Sequence, residues 1–324
     1  MKILITDYPD VLGRELEKEI AYLHEDLPDA EILVYPYTDP EAFYREAADA
    51  DGLLTAFIPL DKPALDRLPG LKAVSINATG YNFVDLAETR RRGIPVCAIG
   101  EYCTQEVADH TMALLLALDR NLKHYTDDID RIGRWQYYAA PRPMGLSGAV
   151  LGLFGLGKIG RAVARRAQGF GMQVLAVDPY ADPAQAAALG VTLTDADTLF
   201  DRSDVISNHM NLTPENTGFF DYAYFRKMRR RPIFLNVARG GSVNEADLVR
   251  ALDEGLIRAA GLDVLEAEKP DLTHCALRGR SNVILTPHAA FYSARAIEAL
   301  QRMSCKNLTA CLTGHPDKAF RVVN

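Results

Sequence analysis

Along the first hundred positions, short apolar runs alternate with polar stretches that carry apolar residues at helical spacing. The runs Lys2–Thr6, Glu31–Tyr35, Gly52–Ala56, Lys72–Ile76 and Pro95–Ala98 have the length of buried strands. Between them Val11–Glu25, Pro40–Ala48 and Phe83–Arg92 read as helices, the first with Leu12, Leu16, Ile20 and Leu23 on one face. This alternation predicts a parallel sheet covered by helices. Thr104–Asn121 then reads as one long helix with Val107, Leu114, Leu115 and Leu118 apolar. His124–Pro143 is polar and aromatic, holds the only tryptophan, Trp135, and reads as a surface or interface arm.

The strand–helix pattern resumes near Leu146. After an apolar run at Val150–Phe154, strands are expected at Gln173–Val177, around Val191, and at Asp204–Ser207, Ile233–Val237, Ala259–Asp263 and Val283–Thr286. The expected sheet has about six parallel strands. Helices fall at Asp197–Phe200, Tyr222–Met228 and Glu245–Glu254, the last begun by Asn244 as N-cap. The final helix, Ser293–Thr313, is expected to return to the first domain. The division is therefore 1–102 plus 294–324 and 103–293, with a cleft between and hinges near Tyr102 and Ala290–Ser293.

Composition narrows the class. A chain of 324 residues is long enough for two domains, and 48% hydrophobic content supports a sizeable core. The net charge of −7 and the lack of a basic run argue against nucleic-acid binding. Five cysteines, an odd number with no C-x-x-C pair, read as reduced thiols in a cytoplasmic protein. Met1-Lys2 leads straight into a strand, without the pattern of a signal peptide. The longest apolar run, Met112–Leu118, is too short to span a bilayer. The seven histidines are scattered, without metal-ligand spacing.

The most informative stretch is Val150-Leu151-Gly152-Leu153-Phe154-Gly155-Leu156-Gly157-Lys158-Ile159-Gly160. Here a strand runs into G-x-G-x-x-G and a helix start. Gly155 permits the turn, Gly157 lets a pyrophosphate approach the backbone, and Gly160 lets helix and strand pack closely. Asp178 ends the next strand, 18 residues past Gly160, where a ribose-binding carboxylate belongs. A carboxylate there repels a 2′-phosphate, and Pro179, Tyr180 and Ala181 supply no arginine for one, so NAD is favoured. The fold class is α/β, two Rossmann-like or flavodoxin-like domains with parallel sheets.

Arg239, Glu268 and His288 each follow a strand of the nucleotide-binding sheet, on the side where ligands collect. Taken singly, such an arginine or glutamate is usually solvated, and such a histidine is usually structural. In the first domain, Asn77-Ala78-Thr79-Gly80-Tyr81-Asn82 follows the fourth strand. Its N–H groups at Thr79 and Gly80 could hold a carboxylate. On spacing alone, Gly80 serves a plain strand-to-helix turn better.

The glycine motif, Asn236-Val237-Ala238-Arg239-Gly240, Gly261-Leu262-Asp263-Val264 with Glu268, and Thr286-Pro287-His288 together resemble the D-2-hydroxyacid dehydrogenases in order and spacing, over nearly the whole chain. The resemblance implies NAD(H)-linked hydride transfer with a 2-oxo or D-2-hydroxy acid. It implies that Arg239 binds the substrate carboxylate, that His288 is the acid/base, and that Glu268 holds and tunes it. It assigns Thr79-Gly80 to carboxylate binding, Asp263 to the nicotinamide side, and Lys158, Ile159, Met210, Asn216 and Ala238 to cofactor contact. It also implies a homodimer. The first domain (1–102 plus 294–324) becomes the substrate-binding domain and 103–293 the dinucleotide-binding domain. Departures are Lys269 between Glu268 and Pro270, Asn211 after Met210, and Ala238 where serine is frequent.

Tyr102, Phe291 and Tyr292 look like the aromatic cleft residues of the D-lactate and D-2-hydroxyisocaproate branch, or serve as packing. The resemblance and the lack of a basic cluster in the first domain favour small aliphatic or aromatic 2-oxo acids over phosphoglycerate. Alternatives are a reductase of the hydroxypyruvate, glyoxylate or phosphoglycerate type, and an NADH-sensing binding protein like the C-terminal-binding corepressors.

Overall fold

The computed structural model describes every residue except Asn82. The chain forms two compact units, Met1–Tyr102 with Ser293–Asn324, and Cys103–Tyr292.

The first unit is built on five parallel strands, β1 (Lys2–Asp7), β2 (Glu31–Pro36), β3 (Gly52–Thr55), β4 (Ala73–Ile76) and β5 (Val96–Cys97), in the order β2-β1-β3-β4-β5. The pleat sends alternate residues of β1 to opposite faces. Ile3 and Ile5 join Leu23, Cys305 and Leu308, while Leu4 joins Phe43, Leu53 and Val74. The last helix, Ala294–Leu312, closes the Ile3 face of this sheet.

Three helices differ from expectation. The first starts at Leu16, because the backbone turns at Tyr8, whose carbonyl accepts from the Val11 and Leu12 N–H groups. The fourth starts at Leu86, because Asp85 caps it by accepting from the Glu88 N–H. An unexpected short helix, Lys62–Asp66, is capped by Asp61 and is too short to show a periodicity. The inner face of Leu16–Asp26 also holds a charge: Glu19 is fully buried, bound by Arg14 at 2.7 Å, Asn77 at 3.0 Å and Gln301 at 3.2 Å. All five cysteines are free thiols.

The second unit holds seven parallel strands, one at each of the seven stretches named from the sequence, although the tally there was about six. They are β6 (Val150–Phe154), β7 (Gln173–Val177), β8 (Val191–Leu193), β9 (Val205–Asn208), β10 (Ile233–Asn236), β11 (Ala259–Leu262) and β12 (Val283–Leu285). The order is β12-β11-β10-β9-β6-β7-β8, and the edge strands β8 and β12 have only three residues each. The chain moves outward from β6 to β8, then crosses back to β9. The direction of winding thus reverses between β6 and β9, the place where an open α/β sheet accepts a ligand at its strand ends.

The helix Thr104–Asp119 lays Leu114, Leu115 and Leu118 on this sheet's core. It stops two residues earlier than expected. Asn121 takes a left-handed φ of 54° and a second helix, Leu122–Asp127, follows. The expected arm thus begins helical, and its tip is open to solvent: Ile132, Trp135, Tyr137 and Tyr138 are all exposed. The helix after β9 is shorter than expected, Tyr222–Phe225. Another, Pro183–Ala188, was not anticipated. Its alanines show no apolar stripe, although Asp182 and Pro183 carry a helix-start signal. Among the described residues no helix is long and apolar enough to cross a membrane.

Candidate active site

The glycine loop begins where β6 ends. Gly155 has φ +92°, and its N–H donates to the Val177 carbonyl at the end of β7. A Cβ on Gly155 would lie 2.9 Å from the His209 carbonyl, and one on Gly160 would lie 2.2 Å from the Gly155 oxygen. Both glycines are therefore required by the protein's own packing. Gly157, at the N-cap of the helix Lys158–Gly169, is different, since a Cβ there meets nothing within 4 Å among the described residues. That space suits a pyrophosphate on the helix N-terminus. Lys158 is exposed and Ile159 half-buried in the first helical turn.

Asp178 closes the cradle. One carboxylate oxygen accepts from the Leu156 N–H at 2.7 Å and the other from the Tyr180 N–H at 2.9 Å. Each oxygen keeps a lone pair for a ribose hydroxyl. Met210 follows β9, and its N–H donates to the Asn208 side chain. The Asn216 amide is occupied within its own loop, accepting from the Thr213 N–H and donating to the Asn211 carbonyl.

His209, beside Met210, is a titratable group that sequence reasoning passed over. Burial pushes its pKa down from 6.5 to about 4, and its Nε2 lies 2.9 Å from the Ser207 hydroxyl.

On the other side of the sheet, Arg239, Glu268 and His288 lie beyond the carboxyl ends of the adjacent strands β10, β11 and β12. His288 Nδ1 sits 2.9 Å from Glu268 Oε2, and the two side chains remain 42% and 64% exposed, open to a ligand. His288 has φ +51°, a left-handed conformation that costs a non-glycine residue free energy. Asp263 holds that turn in place. Its buried carboxylate accepts from the Ala289 N–H at 2.8 Å, the Ala290 N–H at 2.9 Å and the Thr286 hydroxyl at 2.5 Å. Its carbonyl accepts from the His288 N–H at 2.7 Å. His110, from the long helix, reaches the same Thr286 hydroxyl at 3.0 Å. The Phe291 ring stands edge-on to His288, with centroids 6.3 Å apart.

The Arg239 loop is built on buried asparagines. Asn208 and Asn236 end β9 and β10 in register, and the Asn208 amide donates to Asn236 Oδ1 at 3.1 Å and to the Ser242 hydroxyl at 2.8 Å. Asn236 and Ser242 in turn both donate to the Arg239 carbonyl. The Ala238 N–H donates to Asn236 Oδ1. Gly240 presses on the loop leading to Glu268, where a Cβ would lie 1.8 Å from the Leu265 carbonyl. Among the described residues the Arg239 side chain makes one hydrogen bond, to the Ala238 carbonyl at 2.8 Å, and no ion pair. A half-buried guanidinium without a carboxylate partner is equipped to grip one from a ligand.

Sequence reasoning missed Asn208, Ser242 and His110. Asn208 had a visible signal, as a polar residue closing an apolar strand.

In the first unit, Thr79 and Gly80 lie in the loop beyond β4, and Tyr102 is half-buried at the unit's end. Asn82, last of the expected loop, lies outside the described residues.

A family model described as "D-isomer specific 2-hydroxyacid dehydrogenase, NAD binding domain" matches residues 112–290. A glycerate dehydrogenase of Methylorubrum extorquens is 34% identical over 86% of this chain and 87% of its own length. A hydroxypyruvate reductase of Blautia hydrogenotrophica is also 34% identical, with the same coverages. Among solved structures, a D-lactate dehydrogenase of Aquifex aeolicus complexed with NAD and lactic acid superposes with a TM-score of 0.82 at 27% identity, covering 97% of this chain and 96% of that one.

Proposed function

The chain belongs to the D-isomer specific 2-hydroxyacid dehydrogenases, NAD-dependent oxidoreductases of 2-oxo and 2-hydroxy acids, and we propose that it reduces a small unphosphorylated 2-oxo acid through Arg239, Glu268 and His288. The observation that carries this reading is the 2.9 Å His288–Glu268 pair beyond β12, two strands from an arginine without an ion-pair partner among the described residues. The bound nicotinamide would supply the hydride to the carbonyl carbon.

The rest falls to the chain. With Nδ1 turned to Glu268, the His288 nitrogen left for the substrate is Nε2, whose proton passes to the carbonyl oxygen as it becomes a hydroxyl. Glu268 fixes the ring's orientation and balances the imidazolium. Arg239 holds the substrate carboxylate by paired hydrogen bonds and so aligns the carbonyl. Gly155, Gly157, Lys158, Ile159, Gly160, Asp178, Met210, Asn216 and Ala238 are the proposed cofactor positions. Thr79, Gly80, Tyr102 and Phe291 are the proposed substrate positions. Asp263 is proposed to act on the nicotinamide side chiefly by shaping the turn around His288, since three donors already occupy its carboxylate.

Within this class we place hydroxypyruvate and glyoxylate first. The relatives named for glycerate and hydroxypyruvate share more sequence with this chain than the D-lactate dehydrogenase does. This ranking departs from the lactate and hydroxyisocaproate preference suggested by Tyr102, Phe291 and Tyr292. The test follows NADH oxidation with hydroxypyruvate, glyoxylate, pyruvate, 2-oxoisocaproate and phenylpyruvate. Turnover is expected, highest with the first two. NADH binding without turnover of any of them overturns the reading.

We further propose that the protein is cytoplasmic and homodimeric. Ile132, Trp135, Tyr137 and Tyr138 of the arm are exposed large side chains of the kind that a second copy covers. A monomer mass by light scattering would count against the dimer.

A further inference from the structure

At the opposite end of the seven-stranded sheet from Arg239 and His288 lies a hollow of about 320 Å³. Arg231, Arg258 and Asn282 bring it against the amino ends of β10, β11 and β12. Asp119 and Lys123 come from the end of the long helix and the helix after it, and Arg142 from the irregular end of the arm before β6. In a chain of net charge −7, this lining holds five lysines and arginines and a single carboxylate.

The bases are not spent on acids. Among the described residues Arg230 alone of these five pairs with a carboxylate, Asp204 at 3.2 Å. Arg258 and Arg231 each use Nε on a backbone carbonyl, those of Arg231 and Gly255. This leaves the terminal guanidinium nitrogens of both available. Lys123 binds the Arg280 and Val283 carbonyls. Among the described residues Arg142 makes no hydrogen bond or ion pair.

The second observation is the carboxylate. Asp119 is 5% exposed, and its Oδ1 accepts from the Met144 N–H at 2.9 Å. Its Oδ2 is buried without a hydrogen-bond partner among the described residues. A buried charged oxygen without a donor is costly, and it calls for a donor from outside the chain.

From this pairing we infer that the hollow is a second ligand site, taking a phosphate monoester that also carries a hydroxyl group. The phosphate dianion meets Arg142, Arg231 and Arg258, and guanidinium groups suit it by geometry and charge. The hydroxyl donates to Asp119 Oδ2. A bare anion satisfies only the arginines, and a neutral polyol satisfies only the aspartate. The four-residue strands β10 and β11 separate this ligand from the residues proposed for chemistry by about 13 Å. The site is therefore not a subsite for the reacting acid.

The test is calorimetric titration of the whole protein saturated with NADH, which fills the glycine loop and removes it as a competing phosphate site. The probes are glycerol 3-phosphate, inorganic phosphate and glycerol. Glycerol 3-phosphate is expected to saturate the protein and to bind about tenfold more tightly than inorganic phosphate, the worth of one hydrogen bond to a charged group. The double variant Arg142→Gln, Arg258→Gln is expected to lose both ligands by more than about tenfold, while its turnover of 2-oxo acid stays as in the parent. Asp119→Asn is expected to abolish only the preference for glycerol 3-phosphate. A melting curve of each variant guards against misfolding. Absence of saturation, equal binding of the two phosphates by the parent protein, or unaltered binding by the double variant each overturns the site. If NADH does not bind, which tells against the proposed function instead, the same titrations on the free protein still decide through the Arg142 and Arg258 variants.

Discussion

The two halves of the seven-stranded sheet carry two kinds of proposed site. On the β6–β7 side the working surface is backbone. Gly155 and Gly160 are small because their neighbours leave no room, Gly157 is small without such crowding, and one carboxylate, Asp178, ties the loop to the next strand. On the β10–β12 side the working surface is side chains, held by buried polar groups: Asn208, Asn236 and Ser242 beneath Arg239, and Asp263 beneath His288. The first half lies within two dozen residues of chain. The second is assembled from three loops far apart in sequence and includes a histidine at positive φ. A binding cradle needs shape, which glycine supplies locally. A proton donor and a carboxylate clamp need fixed directions, and those require support from several strands.

The comparison predicts that damage to the two halves separates binding from turnover. The largest effect falls on the β12 side. His288→Gln is expected to lower kcat by about 10²–10⁴-fold, the usual share of general acid catalysis. NADH affinity, followed by quenching of protein fluorescence, should stay near that of the parent. A collapse of NADH affinity with turnover intact would instead make His288 a cofactor or structural residue, and the division between the halves would fail.

The glycine loop offers a sharper cut within the other half. In Gly160→Ala a methyl group would meet the Gly155 carbonyl, with no flexible side chain to move aside. We expect a loss of stability of about 1–3 kcal/mol together with weaker NADH binding. In Gly157→Ala the methyl group enters open space. Its melting temperature should match that of the parent, and only NADH affinity should fall, by about tenfold for one displaced phosphate contact. If both variants lose stability equally, the empty space at Gly157 is not reserved for a ligand.

How far the sequence foretells each half follows from the same contrast. The proposed cradle could be read as a pattern because its physics is local: glycine spacing, a strand before, a helix after, and an acid at the end of the next strand. Arg239, Glu268 and His288 could be named from residues plus resemblance, but their support could not. Nothing in the spacing says that Asn208 and Asn236 face each other, because that depends on the register of β9 and β10. The short helices Lys62–Asp66 and Pro183–Ala188 escaped because a hydrophobic face needs more turns to declare itself. Buried Glu19 escaped because its partners Asn77 and Gln301 are 58 and 282 residues away.

Asp263→Asn tests the support on the β12 side. The amide keeps an acceptor oxygen but loses the charge that gathers the Ala289 and Ala290 N–H groups and the Thr286 hydroxyl. An amide nitrogen also turns a donor toward one of those donors. We expect a stability loss of about 1–3 kcal/mol, and a fall in kcat larger than any change in NADH affinity. A variant with native kcat would show that the left-handed turn at His288 holds itself without Asp263.

The smallest effect concerns His209, whose backbone lies against Gly155 where the two halves meet. Burial takes its pKa from 6.5 to about 4, so the imidazole is neutral at physiological pH. Between those two values the unfolded chain binds a proton that the folded chain does not. This contribution to stability is therefore complete above about pH 6.5 and is lost as the pH falls toward 4. The loss from this residue between pH 6.5 and 5 should be about 1–2 kcal/mol, read as a falling urea midpoint at constant slope. His209→Asn should flatten that dependence by the same amount, after subtraction of its offset at pH 7. An equal slope in parent and variant would mean that protonated His209 is accommodated where it stands, with the β6 side of the sheet more open to water than its packing indicates.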